Sequence, residues 1–283
     1  MKNVLITGDS GMVGRCVVAQ LRRMKGFKPI GLGRRHDKNL GYETIDFDLT
    51  GPGIPTLSNI DYVIHLASDN ECKDEKAVYT TNVDGTKKIL ELAKINGVKS
   101  FVYVSTGGVY GFGKKAFKET DRPHPHNLYT ETKYQAELLC NKYKKHFPVT
   151  VLRYFFPYGQ TDKNRLINRL INKIKNNEIV ELNVDGKPII NPVTVQDAAK
   201  VTIATMKPLS EYNVFNIGGS ETVSILQLMK IIEEQLGMKA RITYNNHKIE
   251  NMVGDITKAK ELLSFKPEIT LERGIEDILK EQA

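Results

Sequence analysis

Tyr129 and Lys133, in the stretch Tyr-Thr-Glu-Thr-Lys, stand four residues apart. On a helix that spacing puts a phenol and an ammonium one turn apart on the same face. A free phenol has a pKa of about 10 and is a poor base at neutral pH. A positive charge beside it favours the phenolate, which can take a proton from a hydroxyl and later return it. Spacing alone does not select the pair, because Tyr110/Lys114 and Tyr244/Lys248 share it. Context does. Gly111 and Gly113 interrupt the first rival and Asn245-Asn246 the second, whereas Tyr129 opens a helical pattern that continues to Phe147.

A second constellation lies near the N-terminus. In TGDSGMVG, Gly8, Gly11 and Gly14 alternate with Asp9-Ser10 and Met12-Val13 between an apolar run, Asn3–Ile6, and a helical pattern. Glycines at such a junction permit a tight turn and let the backbone approach a pyrophosphate at the helix N-terminus. The spacing is G-x-x-G-x-x-G. The next strand-like run ends Gly-Leu-Gly-Arg-Arg. An acid there would accept from the ribose of NAD, while arginine accommodates the 2′-phosphate of NADP. Arg34 and Arg35 therefore favour NADP, with NAD as the alternative.

These residues need a scaffold that brings them together. Strand-like runs at Asn3–Ile6, FKPIGL, Asp61–Ala67, Ser100–Thr106 and VTVLRYF alternate with helical patterns, among them Thr81–Gly97 and Tyr129–Phe147. Such alternation predicts an α/β fold, a Rossmann-type doubly wound parallel sheet. After Gly159 the pattern changes, which predicts a smaller, interwoven α/β C-terminal substrate domain. The division expected is 1–158, with 191–217 returning to it, for dinucleotide binding, and 159–190 with 218–283 for the substrate.

Composition narrows the class. With 283 residues, 40% hydrophobic and 26% charged, the chain suits a soluble globular protein. No apolar run is long enough for a bilayer and no signal peptide is recognisable, so a cytoplasmic protein without a membrane partner is expected. Cys16, Cys72 and Cys140 lie far apart with no His at metal-ligand spacing, which argues against disulfides and bound metal. The net charge of +8 comes from scattered lysines rather than a basic block. That pattern argues against nucleic acid and suits a small anionic ligand such as a nucleotide.

In order along the chain, TGDSGMVG, DFDLT, VIHLAS, TNVDGT, FVYVSTGGVYG, YTETK, LRYFFPYG, FNIGG and GDITKAKELL resemble the landmarks of the extended short-chain dehydrogenase/reductase family, the NAD(P)-dependent epimerase/dehydratase group. The resemblance implies that Asp48 and Leu49 lie against the adenine and that Leu66, Ala67 and Ser68 follow the cofactor ribose and phosphates. Asn82 would pack behind the site. Thr106, or less favourably Ser105, would partner Tyr129, and Lys133 would also reach the nicotinamide ribose. Several positions depart from the family pattern. Gly107 and Gly108 replace the Asp-Glu pair of the dehydratases, which argues against dehydration. Phe156 replaces an Asn that touches the sugar nucleotide. Ile190-Asn191-Pro192 replaces Arg-Asp-Phe, whose Arg holds the substrate diphosphate. Arg165, Arg169 and Lys187 are the candidate replacements, Arg165 being the one assigned to the substrate with Thr106 and Phe156. The implied activity is that of a nucleotide-sugar epimerase using transient hydride transfer, with an NADPH-dependent 4-keto-sugar reductase as the alternative. A non-catalytic dinucleotide sensor is disfavoured because Thr106, Tyr129 and Lys133 all remain. The family also implies a homodimer built on Thr81–Ile95 and Tyr129–His146, with Ile89, Leu92, Leu138 and Leu139 as candidates for its seam.

Overall fold

β1 (Lys2–Thr7) is apolar through its centre because both its faces are covered. Val4 and Ile6 enter one core layer and Leu5 the other. The computed structural model describes residues 1–37, 39, 41–160, 165–247 and 249–282. After β1 come α1 (Met12–Arg23), β2 (Phe27–Gly33), β3 (Glu43–Asp46), β4 (Tyr62–His65) and α2 (Glu75–Tyr79). A π-helical stretch, Thr80–Asp84, leads into α3 (Gly85–Asn96), β5 (Ser100–Thr106), α4 (Leu128–Tyr143) and β6 (Val149–Tyr154). Then follow α5 (Leu166–Lys175), β7 (Ile179–Asn183), β8 (Ile189–Ile190), α6 (Val195–Ala204), β9 (Tyr212–Ile217), β10 (Val223–Ser224), α7 (Ile225–Leu236), β11 (Arg241–Asn245), α8 (Thr257–Leu263) and α9 (Leu271–Gln282).

Seven strands form one parallel sheet in the order β3-β2-β1-β4-β5-β6-β9. The winding reverses between β1 and β4, and at such a point the carboxyl ends of the strands open a crevice. A separate core of Ile167, Leu170, Ile171, Leu228, Met229 and Ile232 joins α5 and α7, beside the parallel pair β7–β11. No helix among the described residues is long and apolar enough to cross a membrane.

Three local features differ from the sequence reading. β3 carries no apolar alternation, since it is an edge strand with three of its four residues exposed. The helix expected from Thr81 starts at Glu75, because the Asp74 carboxylate caps it by accepting from the Lys76 and Ala77 amides at 2.9 and 3.3 Å. The helix of Tyr129 ends at Tyr143 rather than Phe147, whose ring is buried in the core. Its start is fixed by a reciprocal cap between Asn127 and Thr130, so Tyr129 lies in the first turn. The seam assignment of Ile89 and Leu92 is corrected: both are buried in the core beneath α3, leaving Leu138, 46% exposed, on the outer face of α4.

Candidate active site

The glycine loop is a cradle with no room for side chains. Gly8 has φ +71°, and a Cβ there would stand 2.7 Å from the Ala67 nitrogen. A Cβ on Gly14 would stand 2.1 Å from the Gly8 carbonyl oxygen. Gly11 caps α1 without a side chain, no acid occupies the first turn, and the Gly11 amide donates to the Gly8 carbonyl at 3.0 Å. Amides at the start of α1 thus face the crevice, an arrangement that fits the pyrophosphate of a dinucleotide. Ser10, Met12 and Val13 complete the wall. Asp9 belongs to the loop, but its side chain is fully buried and turns toward β2.

At the far end of the crevice Arg34 and Arg35 are exposed on the lining. Arg34 approaches Asp48 to 4.0 Å. Asp48 accepts from the Thr50 amide and hydroxyl at 2.9 and 2.8 Å, and these bonds hold its pKa below the ordinary carboxylate value. Leu49, Leu66, Ala67 and Ser68 line the stretch between.

At the near end β5 delivers Thr106 and α4 delivers Tyr129 and Lys133. The Thr106 hydroxyl is half-buried and accepts from the Gly108 amide at 3.1 Å. Ser105 is otherwise engaged, donating to Glu137 at 2.5 Å within a buried network where Arg153 grips the same carboxylate at 2.6 Å. Burial raises the Tyr129 pKa, while the charge of Arg165 and a hydrogen bond with Ser68 lower it. Burial is the largest of these effects and leaves the Tyr129 pKa raised overall. Lys133 turns its ammonium to the Val104 carbonyl, 2.7 Å away, and over the Tyr103 ring, 4.3 Å from its centre. Burial brings the Lys133 pKa down to about 7.

The backing is fully built. Asn82, in the π-helical stretch, accepts from the Asp69 amide at 2.8 Å and donates to Thr132 at 3.0 Å, tying the Ser68 loop to α4. π-bulges of this kind recur at functional sites. His65 is buried between Thr7 and Thr86 at 2.5 and 2.9 Å, and burial lowers its pKa to about 3, so it stays neutral. A Cβ at Gly107 would stand 2.5 Å from the Phe155 ring, and one at Gly108 would stand 2.8 Å from the Thr130 methyl. Both glycines are thus steric requirements.

Every residue assigned from sequence to cofactor, catalysis or substrate lines a single cleft of about 780 Å³. Phe156, held at φ +45°, and Arg165 face it from the C-terminal side. Arg169 and Lys187 do not line it, and Ile190 is buried in the C-terminal core. Asn191 is spent on structure, exchanging hydrogen bonds with the Gly254 amide and carbonyl at 3.0 and 2.9 Å. The rival pairs lie elsewhere. The Tyr110 hydroxyl is buried between Arg153 and Asn216, and Tyr244 is on β11, while Lys248 lies outside the described residues. Met252 and Pro157 also line the cleft, two residues that the sequence reading missed. Neither carries a chemical signature in sequence; only the fold brings them there.

The family model described as the NAD dependent epimerase/dehydratase family matches residues 4–218. The chain belongs to that family. As an extended short-chain dehydrogenase/reductase it is an NAD(P)-dependent enzyme. It is 36% identical to a UDP-glucuronate 4-epimerase of Thermodesulfobacterium geofontis, with 96% of this chain and 93% of the relative aligned. Among solved structures it resembles a UDP-glucuronic acid 4-epimerase from Bacillus cereus in complex with UDP-glucuronic acid and NAD, with a TM-score of 0.86, 26% identity, and 99% and 100% of the chains covered. The UDP-glucose 4-epimerase of Thermotoga maritima with UDP-glucose gives a TM-score of 0.86 at 25% identity, covering 99% of each chain.

Proposed function

We propose that this family member is a nucleotide-sugar 4-epimerase whose substrate is a UDP-hexose, a UDP-uronate foremost. The observation that carries the reading is the convergence of Thr106, Tyr129 and Lys133 on the same cleft as the glycine loop. Tyr129 takes the proton from the sugar 4-hydroxyl, and Thr106 holds that oxygen by a hydrogen bond. Ser68 and Arg165 favour the phenolate that this step requires. A bound nicotinamide dinucleotide supplies a hydride acceptor that can return the hydride. Once the 4-keto sugar has turned over in the cleft, so that the opposite face of C4 would receive the returning hydride, Tyr129 gives the proton back to the C4 oxygen. Arg165 is the cation on the sugar side, suited to a carboxylate or a diphosphate oxygen. That role compensates for the buried Ile190. The UDP-uronate preference rests on Arg165 and on the 36% identical relative. We also assign a homodimer, paired through α3 and α4 with Leu138 and Ile95 exposed on their outer faces.

The test is to incubate the purified enzyme with UDP-glucuronate and with UDP-glucose, without added cofactor, and follow the sugar by proton NMR. A mixture of C4 epimers is expected, faster from the uronate. No epimer from either, together with NADPH-dependent reduction of a nucleotide-linked 4-keto sugar, would replace the reading with the reductase.

A further inference from the structure

Behind Thr106 lies a buried polar network that no step of the reaction uses. Glu137, 2% exposed, accepts from the Ser105 hydroxyl at 2.5 Å. It also accepts from Arg153, 5% exposed, through Nη2 at 2.6 Å and Nε at 3.1 Å. Arg153 Nη1 donates to the Tyr110 hydroxyl at 2.6 Å, and the guanidinium lies 4.7 Å from the centre of the same ring. Tyr110 donates in turn to Asn216 on β9 at 2.9 Å. The Asn216 backbone amide and side chain donate to Glu119 and to the Phe117 carbonyl, each at 2.8 Å. Among the described residues, neither Glu137 nor Arg153 leaves a buried nitrogen or oxygen without a partner.

Stability does not account for this pair. Taking two charges out of water costs about what their attraction returns, and apolar residues of similar volume often hold a fold as well or better. What a directional, fully partnered pair supplies is register. Tyr129, Lys133 and Glu137 follow one another at intervals of four on α4 and so share one face. Lys133 bonds the Val104 carbonyl and Glu137 the Ser105 hydroxyl. The helix is therefore tied to β5 at two consecutive residues, immediately before Thr106. We propose that Glu137, braced by Arg153 and tethered by Ser105, is a positioning residue. It fixes α4 along β5 and thereby sets the Tyr129 phenol against the Thr106 hydroxyl, the two groups that must meet one substrate oxygen. Arg153 is anchored through Tyr110 and Asn216 to β9, so the brace spans three neighbouring strands of the sheet.

The proposal rests on the reading above for its turnover assay and has a second readout that needs no turnover. Glu137→Met combined with Arg153→Met replaces both charges by apolar side chains. The double variant should unfold in urea no earlier than the wild type, because the pair is removed whole. It should nevertheless lose about 10²-fold in kcat, the scale of a displacement of about 1 Å, with KM and NAD affinity kept within about twofold. Ser105→Ala cuts only the tether and should lose about tenfold in kcat with the same split. A folded double variant that turns over within about threefold of the wild type overturns the proposal, since the pair then only fills space. If the double variant does not fold, Ser105→Ala decides, and an unchanged kcat or a loss confined to KM overturns it. Crystals of Ser105→Ala and of the wild type with NAD should show the Tyr129 hydroxyl displaced relative to Thr106 in the variant, and an unmoved hydroxyl also overturns it. A wild type that makes no epimer refutes the sugar chemistry alone, and the crystal comparison still tests the placement of Tyr129.

Discussion

Lys133→Met should make the protein more stable while removing its activity. Lys133 is 2% exposed and its ammonium is held at a pKa of about 7 instead of 10.5, chiefly by burial. Each pH unit of displacement is worth about 1.4 kcal/mol, so the charged lysine costs the fold about 5 kcal/mol at low pH. Methionine fills similar space without charge. It leaves the Val104 carbonyl without its donor, a loss of about 1–3 kcal/mol. A net gain of about 2–4 kcal/mol remains. Its pH dependence follows from the proton count. Below about pH 7 folded and unfolded chains both hold the proton, and the full penalty stands. Between about 7 and 10.5 the unfolded chain holds more, so wild-type stability from this group rises with pH. Urea unfolding of both proteins near pH 6 and pH 10 is the assay. The variant should lead clearly at pH 6 and lose most of that lead by pH 10. No advantage at pH 6, or the same advantage at both, would refute the assignment of the lowered pKa to burial.

Three further outcomes are expected. Tyr129→Phe should lose about 10²–10⁴ in kcat while dinucleotide affinity is kept, as turnover and calorimetric titration would show. Gly14→Ala drives a methyl to within 2.1 Å of the Gly8 carbonyl, so NAD affinity should fall by about tenfold or more, and an unchanged Kd would contradict the cradle. Glu137→Ala leaves the Arg153 guanidinium buried without its carboxylate, and urea unfolding should show a loss of about 3–5 kcal/mol.

The cofactor loop, the sheet and the Tyr129/Lys133 pair are legible in the sequence because each rests on local spacing. Glycines between a strand and a helix, strands alternating with helices, and a phenol one turn from an ammonium are short-range patterns. What depends on contacts between distant segments is not legible. The place of Lys133 one turn from Tyr129 is readable, but its hydrogen bond to the Val104 carbonyl, 29 positions away in sequence, is not, nor is the approach of Arg165 to Tyr129 from beyond β6. Ile89 and Leu92 share the apolar periodicity of a dimer face, and only the packing of α3 assigns them to the core. Gly31 carries no signal without Asp9, which lies on another strand-to-helix junction.

The contact between Asp9 and Gly31 also constrains how the sequence can change. Any side chain at position 31 would collide with the Asp9 carboxylate, whose Oδ2 is 2.4 Å from where its Cβ must go. Replacing Gly31 first is therefore blocked by overpacking, while shortening Asp9 first strips Tyr42 and His36 of their shared acceptor. The two positions are epistatic. A lineage that acquires the aspartate in its phosphate loop becomes committed to a glycine on the neighbouring strand.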